Sequence, residues 1–240
     1  MNIALIGYGR MGHEIEKIAV ERGHTFGLII DIDNQHDLNP ENLKGIDVAI
    51  EFTIPASAIN NYKTCFDAGV PVVSGTTGWL DKWDEVTNYC LQKNSAFFYA
   101  SNFSLGVNLF FEINRLLAKL MKPFDTYNVE MTEVHHTKKL DAPSGTAISL
   151  ANDIIEQYDQ MTGWVNQHSD SKNLLGIESV REGDVPGIHT IKYDSEVDFI
   201  EITHSAKTRK GFALGAVLAA EYSAGKKGLL TMKDLLNIDK

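Results

Sequence analysis

Along the first hundred residues, short apolar runs alternate with segments in which apolar positions recur every three or four residues. Apolar runs of this length are typical of buried strands, and the longer periodicity is typical of amphipathic helices. We predict strands at residues 3–6, 26–30, 47–53, 70–74 and 96–100. Helices are predicted between them, the first through Ile15, Ile18 and Ala19 and the later ones at 56–68 and 80–93. Strands that alternate with helices indicate an α/β domain with a Rossmann-like, doubly wound parallel sheet.

The second half of the chain changes from this alternation to a run of strands. We predict helices at residues 105–120, 145–161 and 212–224, and strands at 127–134, 177–182, 188–193 and 197–204. Asp194 and Ser195 separate the last two strands and fit a hairpin turn. Residues 166–176 are polar and predict a loop. This order indicates a second, α+β domain whose mixed or mostly antiparallel sheet has helices on one face and leaves the other face open.

The composition of the 240-residue chain limits the classes of function. Its formal net charge is −10, which disfavours nucleic acid and anionic membranes as partners because both bind basic surfaces. Its two cysteines, Cys65 and Cys90, form no CxxC pair and predict no disulfide framework, which fits a reducing compartment. No apolar run is long enough to span a bilayer, and the first residues lack the features of a secretion signal. We expect a cytoplasmic protein that binds neither nucleic acid nor membrane.

The first predicted strand runs into a glycine-rich turn, Gly7-Tyr8-Gly9-Arg10-Met11-Gly12, and the second ends at Asp31. A G-x-G-x-x-G turn between a strand and a helix, followed about twenty residues later by an acid, is typical of dinucleotide-binding sites. The glycines let the backbone approach a pyrophosphate, the helix start binds it, and the carboxylate accepts hydrogen bonds from the adenosine ribose. The alternative is a tight strand-to-helix turn that binds no ligand.

Ligands of doubly wound sheets bind at the carboxyl ends of the strands. The residues that the pattern places at those ends are Gly7, Asp31, Phe52, Thr53, Gly75, Thr76, Thr77, Ser101 and Asn102. We predict that these residues border the cofactor site together with the rest of the glycine turn. For the turn that begins at Gly75, a plain polar turn without a ligand is the alternative.

A second candidate site follows the first strand of the second half, which delivers His135 and His136 to its end. Lys139 comes next, and Ser144 is placed to cap the helix predicted to begin at Gly145. A helix N-terminus offers unpaired backbone amides and a partial positive charge, so it binds anions readily. The stretch predicts a site for a small molecule that bears carboxylates, beside an acid–base group. The alternative is a basic surface loop before an ordinary capped helix.

The ungapped run His135-His136-x-x-Lys139-x-Asp141-Ala142-Pro143-Ser144-Gly145-Thr146-Ala147 resembles the signature of the dihydrodipicolinate reductases, enzymes of diaminopimelate and lysine synthesis. The resemblance implies that a cyclic, unsaturated dicarboxylic acid is reduced with NADH or NADPH. It implies that His135 is the acid that protonates the reduced ring, with Lys139 as an assisting proton donor or charge stabiliser. It also implies that His136 and the amides of Gly145 and Thr146 hold a substrate carboxylate.

The resemblance extends over nearly the whole chain. Gly75-Thr76-Thr77-Gly78 resembles the family's nicotinamide-side loop, and Ser101-Asn102-Phe103-Ser104 begins a segment that resembles its hinge between domains. Residues 232–238 resemble its terminal segment, which packs on the cofactor domain. We therefore expect a dinucleotide-binding domain at 1–104, completed by 212–240, and a substrate-binding and oligomerisation domain at 105–211. In this family the sheets of the second domain pair between subunits, which implies a homotetramer.

Cofactor preference depends on the surroundings of Asp31. The next residues are Ile32, Asp33 and Asn34, so no nearby cation meets a 2′-phosphate, and we predict NADH in preference to NADPH. The glycine turn is one residue shorter than in many members of the family, and the segment between Asp31 and Gly45 is also short. Both departures concern the adenosine side, so a basic residue from elsewhere remains an alternative that would favour NADPH.

No metal site is predicted from the two adjacent histidines. Side chains of neighbouring residues on a strand point to opposite faces, so His135 and His136 do not converge. No Cys, Asp or Glu was found near them at a spacing typical of zinc ligands. The sequence predicts that this site works without a metal.

Two other functions remain open from the sequence. One is a different NAD(P)-dependent dehydrogenase on the same two-domain plan, which need not carry the segment 139–146. The other is an NAD-sensing regulator, which needs a helix-turn-helix or a basic patch that the sequence does not show. The segment 139–146 favours the reductase.

Overall fold

The computed structural model describes residues 1–208 and 210–238 of the chain. Residue 209 and residues 239–240, which belong to the predicted domains 105–211 and 212–240, lie outside the described residues. The chain divides into two compact units. The first comprises Met1–Leu105 and the chain from Lys210 onward, and the second begins at Gly106 and ends before Lys210.

The described residues form eleven strands, seven α-helices and two short 3-10 helices. The strands of the described residues are β1 (Asn2–Ile6), β2 (Thr25–Ile30), β3 (Val48–Glu51), β4 (Val72–Ser74), β5 (Ala96–Tyr99), β6 (Asn128–His135), β7 (Gly163–Val165), β8 (Leu174–Arg181), β9 (Ile188–Asp194), β10 (Phe199–Ser205) and β11 (Gly228–Leu230). The α-helices are α1 (Arg10–Glu21), α2 (Pro55–Asp67), α3 (Trp83–Gln92), α4 (Leu105–Met121), α5 (Gly145–Ile155), α6 (Lys210–Ser223) and α7 (Met232–Leu236). Short 3-10 helices occupy Ile32–Asp37 and Leu80–Lys82. Among the helices of the described residues, none is long and apolar enough to cross a membrane.

The first unit contains a parallel sheet in the order β11-β5-β4-β3-β1-β2. From β1 the chain moves to β2 on one side and then through β3, β4 and β5 on the other. The switch point therefore lies between β1 and β3, which is where sheets of this kind bind ligands. This topology confirms the predicted Rossmann-like, doubly wound sheet.

Both faces of this sheet are covered, which explains why its strands are continuously apolar. On one face Leu5 belongs to a buried cluster with Ile15 of α1 and Ala216 of α6. On the other face Ile6 belongs to a second cluster with Tyr62 of α2. Burial of these side chains fixes β1, and with it the position of the glycine turn that follows.

The second unit contains a five-stranded sheet in the order β10-β9-β6-β8-β7. The pairs β10–β9 and β9–β6 are antiparallel, whereas β6–β8 and β8–β7 are parallel. Met131, Ile191 and Tyr193 lie in one buried cluster with Leu150 and Ile154 of α5. The predicted α+β unit with a mixed sheet is confirmed, and β6 lies at the centre of that sheet.

Several boundaries differ from the predicted ones. Helix α5 ends at Ile155 rather than near residue 161, although Tyr158 and Met161 still pack on the core from the turns that follow. Their packing explains the apparent helical periodicity. Strand β7 and the start of β8 at Leu174 occupy parts of the chain outside any predicted strand, and so does β11. The connection from β9 to β10 spans residues 195–198, so it is longer than the predicted two-residue turn.

Candidate active site

A cavity of about 260 Å³ lies at the carboxyl ends of β1, β2 and β3 in the first unit. It is lined by Ile6, Gly7, Tyr8, Gly9, Ile30, Asp31, Ile32, Gln35, Phe52, Thr53, Ile54, Ser57 and Asn61. Six of these residues are predicted cofactor ligands: Gly7, Tyr8, Gly9, Asp31, Phe52 and Thr53. The structure therefore brings together the glycine turn, the acid after β2 and the end of β3.

Two of the three glycines in the turn, Gly7 and Gly12, have no room for a side chain. Gly7 has a φ of +97°, and a Cβ on it would lie 2.0 Å from the carbonyl oxygen of Phe52. A Cβ on Gly12 would lie 2.4 Å from the carbonyl oxygen of Gly7. Only glycine permits this close approach of the turn, α1 and the end of β3. The resulting cradle at a helix N-terminus fits a pyrophosphate.

Asp31 is exposed at the edge of this cavity, directly after β2. Its backbone amide donates to Oδ1 of Asn34 at 2.7 Å, which fixes the start of the short helix that follows. Ile32, whose exposure is 77%, and Gln35 are its neighbours in the cavity lining. Within the described part of the chain, that lining contains no lysine or arginine.

The buried carboxyl group of Glu51 connects two loops that the sequence assigns to the cofactor. Its Oε2 accepts hydrogen bonds from Ser74 Oγ at 2.8 Å and Thr76 Oγ1 at 2.9 Å, and its Oε1 is bonded to the Thr53 hydroxyl. The Thr53 amide donates in turn to Thr76 Oγ1 at 2.8 Å. Burial raises the pKa of Glu51 above its ordinary value, although these hydrogen bonds oppose the shift. Glu51 therefore supports both loops, although it was not among the residues predicted for the cofactor site.

The remaining predicted cofactor residues differ in accessibility. Exposed positions are Arg10, Thr77 and Ser101, whereas Met11, Gly75 and Asn102 are partly buried. Phe103 and Ser104 are buried, and the Phe103 ring packs between Phe52 and Phe98 at centroid distances of 5.6 and 5.9 Å. The Phe103 side chain therefore belongs to the core of the unit.

In the second unit, His135 is the last residue of β6, the central strand of the sheet. Its Nδ1 lies 2.6 Å from Oε2 of Glu133, two residues earlier on the same strand face. Glu133 is completely buried and His135 is 8% exposed. The two side chains therefore form a charge-assisted pair at the end of the strand.

The other oxygen of Glu133 is also occupied. Oε1 accepts from the Ser144 amide at 3.2 Å and from Nη2 of Arg181 at 2.9 Å. Burial alone would raise the pKa of the Glu133 carboxyl, but its hydrogen bonds with His135, Ser144 and Arg181 lower the pKa well below the usual range. Glu133 is therefore a carboxylate at neutral pH.

Ser144 caps α5, as predicted, because its Oγ accepts from the amide of Ala147 at 3.1 Å. The same Oγ lies 3.2 Å from Nε2 of His189 on β9. Since the amides of Ser144 and Ala147 are both bonded, those of Gly145 and Thr146 are the first-turn donors that lack an intrahelical acceptor. These two amides fit a carboxylate ligand at a helix N-terminus.

Lys139 lies in the loop after β6 and is held near it by local contacts. Its amide donates to the carbonyl of His136 at 3.0 Å, and its Nζ lies 2.9 Å from Oδ2 of Asp141. Arg181 also reaches this loop, since its Nη2 donates to the carbonyl of Asp141 at 2.7 Å. The structure thus collects His135, Lys139 and the start of α5 within one unit.

Glu133, His135 and His189 place potential ligand atoms within 4.8 Å of one another. Within this group, Nδ1 of His135 lies at ion-pair distance, 2.6 Å, from Oε2 of Glu133. The Arg181 guanidinium already neutralises the Glu133 carboxylate, and the second oxygen of that carboxylate engages Nδ1 of His135. A divalent cation here would be repelled by the guanidinium and would have to displace the His135 contact.

Three members of this network were missed at the sequence level. Glu133 could have been found, because it precedes His135 by two residues and therefore shares its strand face. Arg181 and His189 come from β8 and β9, and their proximity depends on strand register. Burial lowers the pKa of His189 to about 4, so this second histidine is neutral beside His135, with which it makes an edge-to-face ring contact at 5.1 Å.

Comparison with known proteins identifies relatives of this chain. Family models described as "Dihydrodipicolinate reductase, N-terminus" and "Dihydrodipicolinate reductase, C-terminus" match residues 1–103 and 106–236. The 4-hydroxy-tetrahydrodipicolinate reductase of Christiangramia forsetii is 54% identical over 239 residues, which cover 99% of this chain and 98% of the relative. That of Lawsonia intracellularis is 34% identical over 263 residues, covering 98% and 99%. The solved structure of dipicolinate-bound dihydrodipicolinate reductase from Paenisporosarcina sp. TG-14 superposes with a TM-score of 0.77 at 25% identity, covering 99% of both chains.

Proposed function

The chain belongs to the dihydrodipicolinate reductase family, and we propose how its residues carry out the reaction of that family. It catalyses the reduction of 4-hydroxy-tetrahydrodipicolinate to tetrahydrodipicolinate with a nicotinamide cofactor, a step of diaminopimelate and lysine synthesis. The observation that carries this function is the 54% identity to a curated relative over almost the full length of both proteins.

We assign the cofactor to the first unit. When bound, the reduced nicotinamide supplies the hydride. The cradle at Gly7 and the cavity beside it support this assignment because they fit a pyrophosphate and an adenosine ribose. The residues assigned to the cofactor are Gly7, Tyr8, Gly9, Arg10, Met11, Gly12, Asp31, Phe52, Thr53, Gly75, Thr76, Thr77, Ser101, Asn102, Phe103 and Ser104.

NADH is the proposed preferred cofactor. Asp31 is exposed at the cavity edge, where its carboxylate suits a ribose diol and repels a 2′-phosphate. Ile32 and Gln35, its neighbours in the lining, carry no charge to offset that repulsion. NADPH remains usable if a cation outside the lining reaches the phosphate.

His135 is the proposed acid. In the overall reaction a hydrogen replaces the 4-hydroxyl group of the substrate ring. The substrate therefore takes up one hydride and one proton and releases water. An imidazole suits the proton transfer because its unperturbed pKa lies near neutrality. The pairing of His135 with the ionised Glu133 supports the assignment, since a carboxylate 2.6 Å from Nδ1 fixes the ring at the end of β6.

Lys139 and the start of α5 are proposed to bind the substrate. The amides of Gly145 and Thr146, together with His136, would hold one carboxylate. Lys139 would meet substrate charge and assist protonation, with Asp141 holding its ammonium group near the loop. These groups are all cationic or hydrogen-bond donors, which matches a dianionic ligand.

The proposed assembly is a cytoplasmic homotetramer. Its basis is the resemblance to a family in which second-unit sheets pair between subunits. In support, Phe199 of β10 is 60% exposed, and it lies on the sheet face opposite to that of Ile202, which packs on the core. Light scattering of the full chain at micromolar concentration decides whether it is a tetramer or a monomer.

The function is tested by NADH oxidation with substrate made in situ from pyruvate and aspartate semialdehyde. We expect oxidation that requires both precursors and the enzyme that condenses them. Omission of either precursor is the control. Activity with aspartate or diaminopimelate in place of the cyclic substrate would instead indicate an amino-acid dehydrogenase on the same fold.

A further inference from the structure

Burial of the Glu133 carboxylate is unfavourable because the charge loses its hydration. Its side chain is completely buried, and a buried charge is tolerated only when it is paired and hydrogen-bonded. Its Oε1 accepts from the Ser144 amide and from Arg181, and its Oε2 lies 2.6 Å from Nδ1 of His135. The Ser179 side chain is a further hydrogen-bond partner of this carboxylate. A purely structural ion pair with Arg181 does not require the second oxygen to meet the proposed acid.

We propose that Glu133 is a positioning residue that holds the His135 ring with a proton on Nδ1, so that Nε2 is the nitrogen that delivers the proton to the substrate. This inference rests on the proposed role of His135 as the acid. Nδ1 of His135 lies 2.6 Å from Oε2 of Glu133. A carboxylate only accepts hydrogen bonds, so a bond between these two atoms requires the proton on Nδ1. The hydrogen bond made by one ring nitrogen determines which form the other presents.

A second observation concerns the free side of the ring. A Cβ on Gly187 would lie 2.9 Å from Nε2 of His135, and the φ of Gly187 is +154°. Glycine at this position keeps a side chain away from the nitrogen that Glu133 leaves available. This contact involves the opposite end of the imidazole from Glu133, so it supports the orientation independently.

Charged and titratable side chains from β6, β8, β9 and the loop after β6 lie around His135. From β9, His189 contacts the ring edge-to-face but stays neutral, since burial lowers its pKa to about 4. From β8, Arg181 binds Oε1 of Glu133. From the following loop, Lys139 pairs with Asp141. The carboxylate of Glu133 is therefore the charged group in direct contact with the His135 ring.

The variants that test this proposal are Glu133→Gln and Glu133→Asp, with Glu112→Gln as a matched control. Glu112 pairs with Arg115 on α4, so its change removes a carboxylate from the same unit. For Glu133→Gln we expect a nearly unchanged KM and a kcat lowered by about 10–10²-fold, less than the loss expected on removing the acid itself. The shorter carboxylate of Glu133→Asp should restore part of the rate.

Two readouts separate positioning from a merely structural role. In Glu133→Gln, the pH dependence of kcat should differ from that of the native chain, because the carboxylate no longer contacts the imidazole. Nitrogen-15 NMR of histidine-labelled protein should show Nδ1 of His135 protonated in the native chain and a mixture of tautomers in Glu133→Gln. Glu112→Gln should change neither readout.

The result that overturns the proposal is a Glu133→Gln variant that is folded, keeps the native pH profile and shows the native His135 tautomer. The double variant gives a second test. If Glu133→Gln lowers kcat by the same factor in His135→Gln as in the native chain, Glu133 acts independently of the ring and the proposal fails. The tautomer is measured without turnover. If the tautomer changes as expected while His135→Gln keeps its activity, the acid assignment has failed and the positioning geometry stands.

Discussion

Oε2 of Glu51 lies 2.9 Å from Oγ1 of Thr76, and that same hydroxyl oxygen accepts the amide of Thr53 at 2.8 Å. One buried carboxyl group therefore holds together two loops assigned to the cofactor. We predict that Glu51→Ala raises the KM and Kd of the cofactor by about 5–10-fold, because losing one such hydrogen bond costs roughly 0.5–1.5 kcal/mol. Fluorescence titration with NADH measures the effect.

The matched control for that variant is Glu85→Ala. Glu85 lies on α3 in the same unit and pairs with Lys63 at a site that is partly exposed. Its loss should leave cofactor binding unchanged. An unaltered NADH affinity in folded Glu51→Ala would show that the network does not support the cofactor loops.

The two buried glutamates should respond to pH in opposite directions. Burial raises the pKa of Glu51 above its ordinary value of 4.5, so its contribution to stability falls as the pH rises above about 4.5. For Glu133, burial is outweighed by the hydrogen bonds with His135, Ser144 and Arg181, which lower the pKa. Its ionised form therefore stabilises the fold above pH 4.5, and this contribution is lost as the pH falls.

Denaturant unfolding of Glu51→Gln and Glu133→Gln between pH 4 and pH 7 tests this contrast. Relative to the native chain, the free energy of unfolding of Glu51→Gln should improve as the pH rises. That of Glu133→Gln should worsen over the same range. Parallel pH profiles for the two variants would mean that one of the two carboxyl groups has the opposite protonation state.

The exposed carboxylate of Asp31 predicts a higher kcat/KM for NADH than for NADPH. Ile32→Arg places a cation at a cavity-lining position that is 77% exposed. It should raise kcat/KM for NADPH and so reduce the preference for NADH. Ile32→Gln is the uncharged control of similar length. A native preference for NADPH would refute this assignment.

Lys139→Ala is predicted to lower kcat and to raise the substrate KM. The substrate loses a hydrogen bond to a charged group, which contributes roughly 1.5–3 kcal/mol. Lys138→Ala is a close control, because Lys138 is the exposed neighbour in the same loop. Steady-state kinetics in which the two variants behave alike would mean that the loop acts only through its net charge.

The fold of the first unit could be predicted from local patterns in the sequence. Continuous apolar strands, the Gly7 turn and Asp31 predicted the doubly wound sheet because each depends on neighbours along the chain. Strands β7 and β11 were missed because each has three residues and begins with glycine, so neither forms an apolar run like the one that made the equally short β4 predictable. Short strands of this kind are defined by the partner strand they join.

The candidate site was predictable only in part. The motif that contains His135 and Ser144 is contiguous, and the structure confirms the cap that Ser144 forms. Arg181 and His189 lie more than forty residues away along the chain and reach Glu133 and Ser144 through the pairing of β6 with β8 and β9. The role of Glu51 could not be predicted, because an acid at the end of an apolar strand does not indicate which side chains bond to it. Four side chains converge on it in the structure.

The steady-state rate of His135→Gln tests the central claim, that His135 donates the proton in this reductase. Glutamine keeps a polar side chain but cannot act as the acid, so kcat should fall by about 10²–10⁴-fold, with a smaller change in KM and unchanged NADH binding. His168→Gln, an exposed histidine of the same unit, should retain native kinetics. A folded His135→Gln enzyme that keeps most of its kcat would contradict the assignment of the acid.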